Sequence, residues 1–72
     1  MLVEINYTCI DKHGSWPSES CGFADDDDSA KAWAESEINY LRQRFADITF
    51  SNVELTECDL ATNSDRFICE IN

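Results

Sequence analysis

Glycine occurs only at Gly14 and Gly22 in this chain, so no glycine-rich loop is available to cradle a phosphate. The one histidine, His13, sits among turn-forming residues and has no serine or cysteine beside it in a recognisable nucleophile context. It reads as a solvated turn residue. No C-x-x-C knuckle is present, and Cys9, His13 and Cys21 lack the spacing of a structural zinc site. No apolar run approaches the roughly 18 residues of a membrane span. The first residues, Met-Leu-Val-Glu-Ile-Asn-Tyr, lack the basic region and apolar run of a signal peptide. These absences lead us to expect a cytoplasmic protein that is not an enzyme and has neither a cofactor nor a metal.

Basic residues are the most telling shortage. Five lysines and arginines stand against 15 acids, for a formal net charge of -10 on 72 residues. Direct DNA or RNA binding is disfavoured, because scattered bases in an acidic chain make no phosphate-neutralising patch. Duplex DNA carries about two charges per base pair, so this small body has the net charge of about five base pairs. Self-repulsion opposes compaction, and the charge therefore points outward, to a basic protein or ribonucleoprotein surface as partner.

A chain of this length makes one domain, residues 1–72, which buries only about 60% of the surface its unfolded form exposes. Acidity can signal disorder, yet 43% hydrophobic residues, two Trp, two Tyr and four Phe argue for a core. Leu2 to Ile10 alternates, with Val3, Ile5, Tyr7 and Cys9 on one face and Glu4, Asn6 and Thr8 on the other, the period of a half-buried strand. Asp11 to Ser18 is dense in turn formers, and Pro17 excludes a central strand there. A shorter strand is predicted near Ser20 to Phe23.

A helix should begin within the aspartate run and end near Ala46, about nineteen residues or roughly 28 Å. Ala30, Trp33, Ala34, Ile38, Leu41 and Phe45 share its apolar stripe. Lys31 is spaced to pair with Glu35, and Arg42, further along the helix, is expected near Glu35 on the same side. Glu37 falls inside the apolar arc and is expected to reach its edge and meet Arg44 or the Tyr40 hydroxyl. Beyond the helix, Ile48 and Phe50 alternate, Ser51-Asn52 interrupts, and Val53 and Leu55 resume out of phase, which predicts a bulge or bend. Phe67, Cys69 and Ile71 then form the apolar face of a last strand. The expected fold is α+β, ββαββ, a single domain with an antiparallel sheet of three to four strands and one amphipathic helix packed on it. Its core should hold Val3, Ile5, Tyr7, Trp33, Ile38, Leu41 and Phe67, and a monomer is expected.

The four cysteines allow three disulfide connectivities. A hairpin pivoting at Ser15 would set Cys9 opposite Cys21, and a turn at Asn63-Ser64 would set Cys58 opposite Cys69. A cytosolic setting favours thiols instead, and the residues then read as small apolar side chains.

Asp25, Asp26, Asp27 and Asp28 precede the helix, where carboxylates cap free N-H groups and meet the positive end of the macrodipole. A charge run of this kind is usually solvated, and calcium would need the loop glycine and terminal glutamate that the segment lacks. Acids recur outside it with few nearby bases, including Glu4, Glu19 and Asp65. The acids expected to bind the partner are Asp25, Asp26, Asp27, Asp28, Glu54, Glu57, Asp59 and Glu70. In size, charge and single mixed domain the whole chain resembles the small acidic proteins of phages and mobile elements that inhibit host defence, the anti-CRISPR proteins among them. The resemblance lies in whole-chain character, and were the chain phage-encoded its compartment would be the bacterial host cytosol. It implies a stoichiometric inhibitor that acts as a nucleic-acid mimic on a Lys- and Arg-rich DNA-binding surface, for example in a type I CRISPR surveillance complex (a Cascade subunit). An acidic interaction or accessory module without mimicry is the alternative, and a small metal-binding or thiol-redox protein is a third reading.

Overall fold

The alternating segment becomes β1 (Leu2–Asp11), followed by β2 (Gly14–Phe23), α1 (Asp27–Arg44), β3 (Thr49–Asp59) and β4 (Ser64–Glu70) in a computed structural model that describes residues 1–72. All pairings are antiparallel, and the sheet order is β2-β1-β3-β4. The α+β, ββαββ expectation holds. Pro17 lies in β2, an edge strand, where its missing N-H leaves no ladder partner wanting. No helix is long and apolar enough to cross a membrane.

One face of the sheet is covered. Val3, Ile5, Tyr7 and Cys9 of β1 and Phe50, Val53 and Leu55 of β3 pack with Ala30, Ala34 and Ile38 of α1, and Ile71 closes the cluster. The small Ala30 and Ala34 let the helix backbone approach the sheet. Gly22 does the same for Trp33, since a Cβ there would lie 2.5 Å from the indole ring. Trp33 and Leu41, expected in the core, lie at its margin as half-buried neighbours.

The first hairpin corrects the expected pivot. Asp11 pairs with Gly14 across the loop residues Lys12 and His13. The Asp11 carboxylate accepts the His13 backbone N-H at 2.8 Å, and Gly14 adopts φ 143°, which a side chain would resist. This tight loop makes β2 start earlier than the turn-rich composition suggests. It also moves the register by an odd step, which turns every β2 residue to the other face. Cys9 therefore meets Trp16, and Cys21 meets Glu4 on the opposite side of the sheet. Cys58 likewise faces Asp65, while Cys69 faces Leu55. Neither proposed cysteine pairing is possible, and all four residues are free thiols.

The predicted interruption at Ser51-Asn52 is a bulge. Asn52 has φ 54°, and the β1–β3 register shifts between Asn6 and Thr8, so that Phe50, Val53 and Leu55 can all face the helix. A second bulge was not foreseen. Leu55 pairs with Cys69 but Thr56 pairs with Phe67, which leaves Ile68 as the extra residue of β4. Phe67 is consequently turned out of the core to 55% exposure, while Ile68 packs against it.

The helix ends behave as expected, but three expected contacts among its side chains are not made. Asp26 is the N-cap and Arg42 and Arg44 occupy the last turn. Arg42 donates to the carbonyls of Asn72 and Phe50, both at 3.3 Å, rather than approaching Glu35. Lys31 forms no ion pair with Glu35, and half-buried Glu37 bonds neither Arg44 nor Tyr40. Arg44 lies over the Phe45 ring instead, 5.8 Å from its centre.

Candidate functional site

The expected partner-binding acids divide into a group held by the fold and a group left free. Asp26 accepts the Ser29 backbone N-H at 2.8 Å, and the Ser29 hydroxyl accepts the Asp25 and Asp26 N-H groups at 3.1 Å. This reciprocal cap, first through the backbone bond and then through the hydroxyl, holds the Asp26 carboxyl below the usual range. Asp27 receives both terminal nitrogens of Arg66, at 2.7 and 3.2 Å, and that contact lowers its titration too. Glu57 accepts Arg66 Nε at 3.0 Å. Arg66 thus ties the helix start to β3 and β4. Asp59 accepts the N-H of Ala61 at 3.0 Å and shapes the last turn. Asp25 and Asp28 carry no side-chain bond of this kind, and neither do Glu54 and Glu70.

The other side of the sheet has no helix over it. Because Val3, Ile5, Tyr7 and Cys9 point to the core, Glu4, Asn6 and Thr8 must point away. The registers extend that parity across the strands. Glu19 faces Asn6, which faces Glu54, which faces Glu70. In the next row Cys21 faces Glu4, then Thr56, then Phe67. Cys58 and Asp65 form a further outward pair. The open face therefore carries Glu4, Glu19, Glu54, Asp65 and Glu70 and no lysine or arginine.

Every cation lies elsewhere. Lys12 is in the first turn, Lys31, Arg42 and Arg44 are on α1, and Arg66 faces the helix side through its pairing with Glu57, itself opposite Val3. Glu54 and Glu70 are directly opposed, an arrangement of like charges that costs stability. Thr56 lies between Glu4 and Phe67, and its Oγ1 is buried with no hydrogen-bond partner. The thiols of this face are pushed upward. Burial raises Cys21 and Cys58, and the Glu4 carboxylate adds to both, with a 3.7 Å contact from Cys21 Sγ to Glu4 Oε2.

Glu4, Glu19 and Asp65 belong to the same surface as Glu54 and Glu70, although they were not among the acids singled out for binding. The signal was available for Glu4 in the β1 alternation. For Glu19 and Asp65 it required the hairpin registers. At the end of the sheet nearest α1, Met1, Phe23, Ala24, Asp25 and Ser29 line an open groove, and Phe23 and Leu60 are 80% and 79% exposed. No three histidine, cysteine or acidic side chains converge in an arrangement fit for a metal ion.

A comparison with protein-family models, with curated proteins and with solved structures found no significant match to this chain.

Proposed function

We propose that the protein is a stoichiometric inhibitor of the anti-CRISPR kind, a nucleic-acid mimic that occupies a Lys- and Arg-rich DNA-binding surface. A type I CRISPR surveillance complex is the target we propose, with target DNA excluded from its channel. The observation that carries this reading is charge segregation. A net charge of -10 is combined with a whole sheet face that holds acids and no base. Neutralisation within the fold is confined to Arg66, which serves Asp27 and Glu57. The remaining field is available to a partner, and such a field speeds encounter and discriminates against acidic surfaces.

Association should be fast at low salt and weaken as salt rises, because the Debye length falls from about 10 Å at 0.1 M to about 3 Å at 1 M. The test is equilibrium binding to the purified complex across that range, with competing duplex DNA. Loss of binding to both salt and DNA supports mimicry. Binding indifferent to both would replace it with the acidic interaction module, a reading favoured by the exposed Phe23, Leu60 and Phe67 side chains.

A further inference from the structure

We infer that the open face of the sheet, rather than the aspartate run, is the docking surface, and that its occupant is an arginine-bearing protein surface. Glu54 and Glu70 receive a guanidinium that stacks on Phe67. This rests on the preceding reading that the partner is basic.

Charge complementarity selects the face. Glu54 and Glu70 sit opposite one another on adjacent strands, and neither forms an ion pair, although Glu70 also borders a groove that Lys31 of α1 lines. Opposed carboxylates on neighbouring strands have Cβ atoms about 5 Å apart, within the span of one planar guanidinium fork. The helix corner offers less, because Asp26 is used by the cap and Asp27 by Arg66.

The apolar and polar surroundings select arginine over lysine. Phe67 is the next outward residue before Glu70 on β4, because the bulge at Ile68 turns its ring from the core into this face. An exposed aromatic ring beside paired carboxylates suits a cation that is planar, weakly hydrated and able to stack. A guanidinium has five N-H groups in a planar fork and can serve two carboxylates together, whereas an ammonium is a compact point charge.

The full ¹⁵N-labelled chain is titrated at low salt with an arginine octapeptide and a lysine octapeptide, read by amide shifts. The arginine peptide should move Glu54, Thr56, Phe67 and Glu70 and bind about threefold more tightly than the lysine peptide, the scale of an exposed cation–π contact. E54Q/E70Q should weaken arginine-peptide binding about fivefold, the scale of two exposed ion pairs, with an unchanged far-UV spectrum. F67A should bring the two peptides to equal affinity without abolishing either. Shifts confined to Asp25 through Asp28, or equal affinities for the parent, would overturn this inference and leave the basic-partner reading standing. No saturable binding of either peptide would overturn both.

Discussion

Glu54 of β3 and Glu70 of β4 face one another on the uncovered side of the sheet. Directly opposed like charges destabilise a strand pair by up to about 1 kcal/mol, and neither carboxylate makes an ion pair that would offset this. Glu70→Lys should therefore raise the urea midpoint, with a stabilisation of about 0.2 to 1 kcal/mol, while weakening attachment to a basic partner. Stability and binding moving in opposite directions is the expected signature; a destabilised Glu70→Lys protein would show that the pair is not strained.

Ile38 and Phe67 should respond differently to truncation, because one is buried and the other exposed. Ile38 is wholly buried between the helix and the sheet, so Ile38→Ala should cost about 2 to 5 kcal/mol, a large part of the stability of so small a domain. Phe67→Ala should change stability by only about 0.5 kcal/mol, because the ring lies outside the core. Denaturation of both variants by urea separates the two positions.

Gly22 makes room for Trp33. A Cβ there would lie 2.5 to 2.8 Å from three indole atoms, and the backbone of β2 is fixed by pairing with β1. Gly22→Ala should destabilise by about 1 to 3 kcal/mol through overpacking and shift tryptophan fluorescence. An unshifted spectrum with parental stability would contradict this packing.

Acid should loosen the helix start. Asp26 is lowered by its bonds to Ser29, and Asp27 by its contact with Arg66. Both carboxyls are more acidic folded than unfolded. Their contribution is complete above the ordinary aspartate range, about pH 4, and disappears as pH falls through their folded values. Asp27→Asn should flatten the pH dependence of the melting temperature below that range and leave the neutral-pH fold intact.

The thiols should be slow nucleophiles. Burial raises Cys9, Cys21 and Cys58, and the carboxylate of Glu4 raises Cys21 and Cys58 further. They remain protonated at neutral pH, and any stability linked to them is present there and lost only as pH rises through their folded values. Alkylation at pH 7.5 should be slower at these cysteines than for free cysteine, and Glu4→Gln should speed it at Cys21.

Much of this architecture was legible because period-two alternation in β1 and the stripe in α1 are local properties of the chain. The Ser51-Asn52 phase break gave the β3 bulge for the same reason. What escaped were registers. Two loop residues, Lys12 and His13, set the face of every β2 side chain, and one extra residue, Ile68, reversed Phe67. Neither effect leaves a periodic trace, since a hairpin pivot and a bulge are decided by turn bonds and packing. An acidic sheet face or edge was legible from the acids alone, but its membership followed only from the registers, which sort Glu19 and Asp65 with Glu54 and Glu70. Bonds from Ser29, Arg66 and Ala61 engage Asp26, Asp27, Glu57 and Asp59 within the fold.

The most direct measurement follows fluorescence anisotropy of a labelled target duplex bound to a type I CRISPR surveillance complex at 0.1 M salt. The complex is titrated with the parent protein and with E54Q/E70Q. The parent should release the duplex, and the double variant should need about fivefold more protein to do so, as two lost exposed ion pairs require. A duplex that stays bound at saturating parent protein would contradict it.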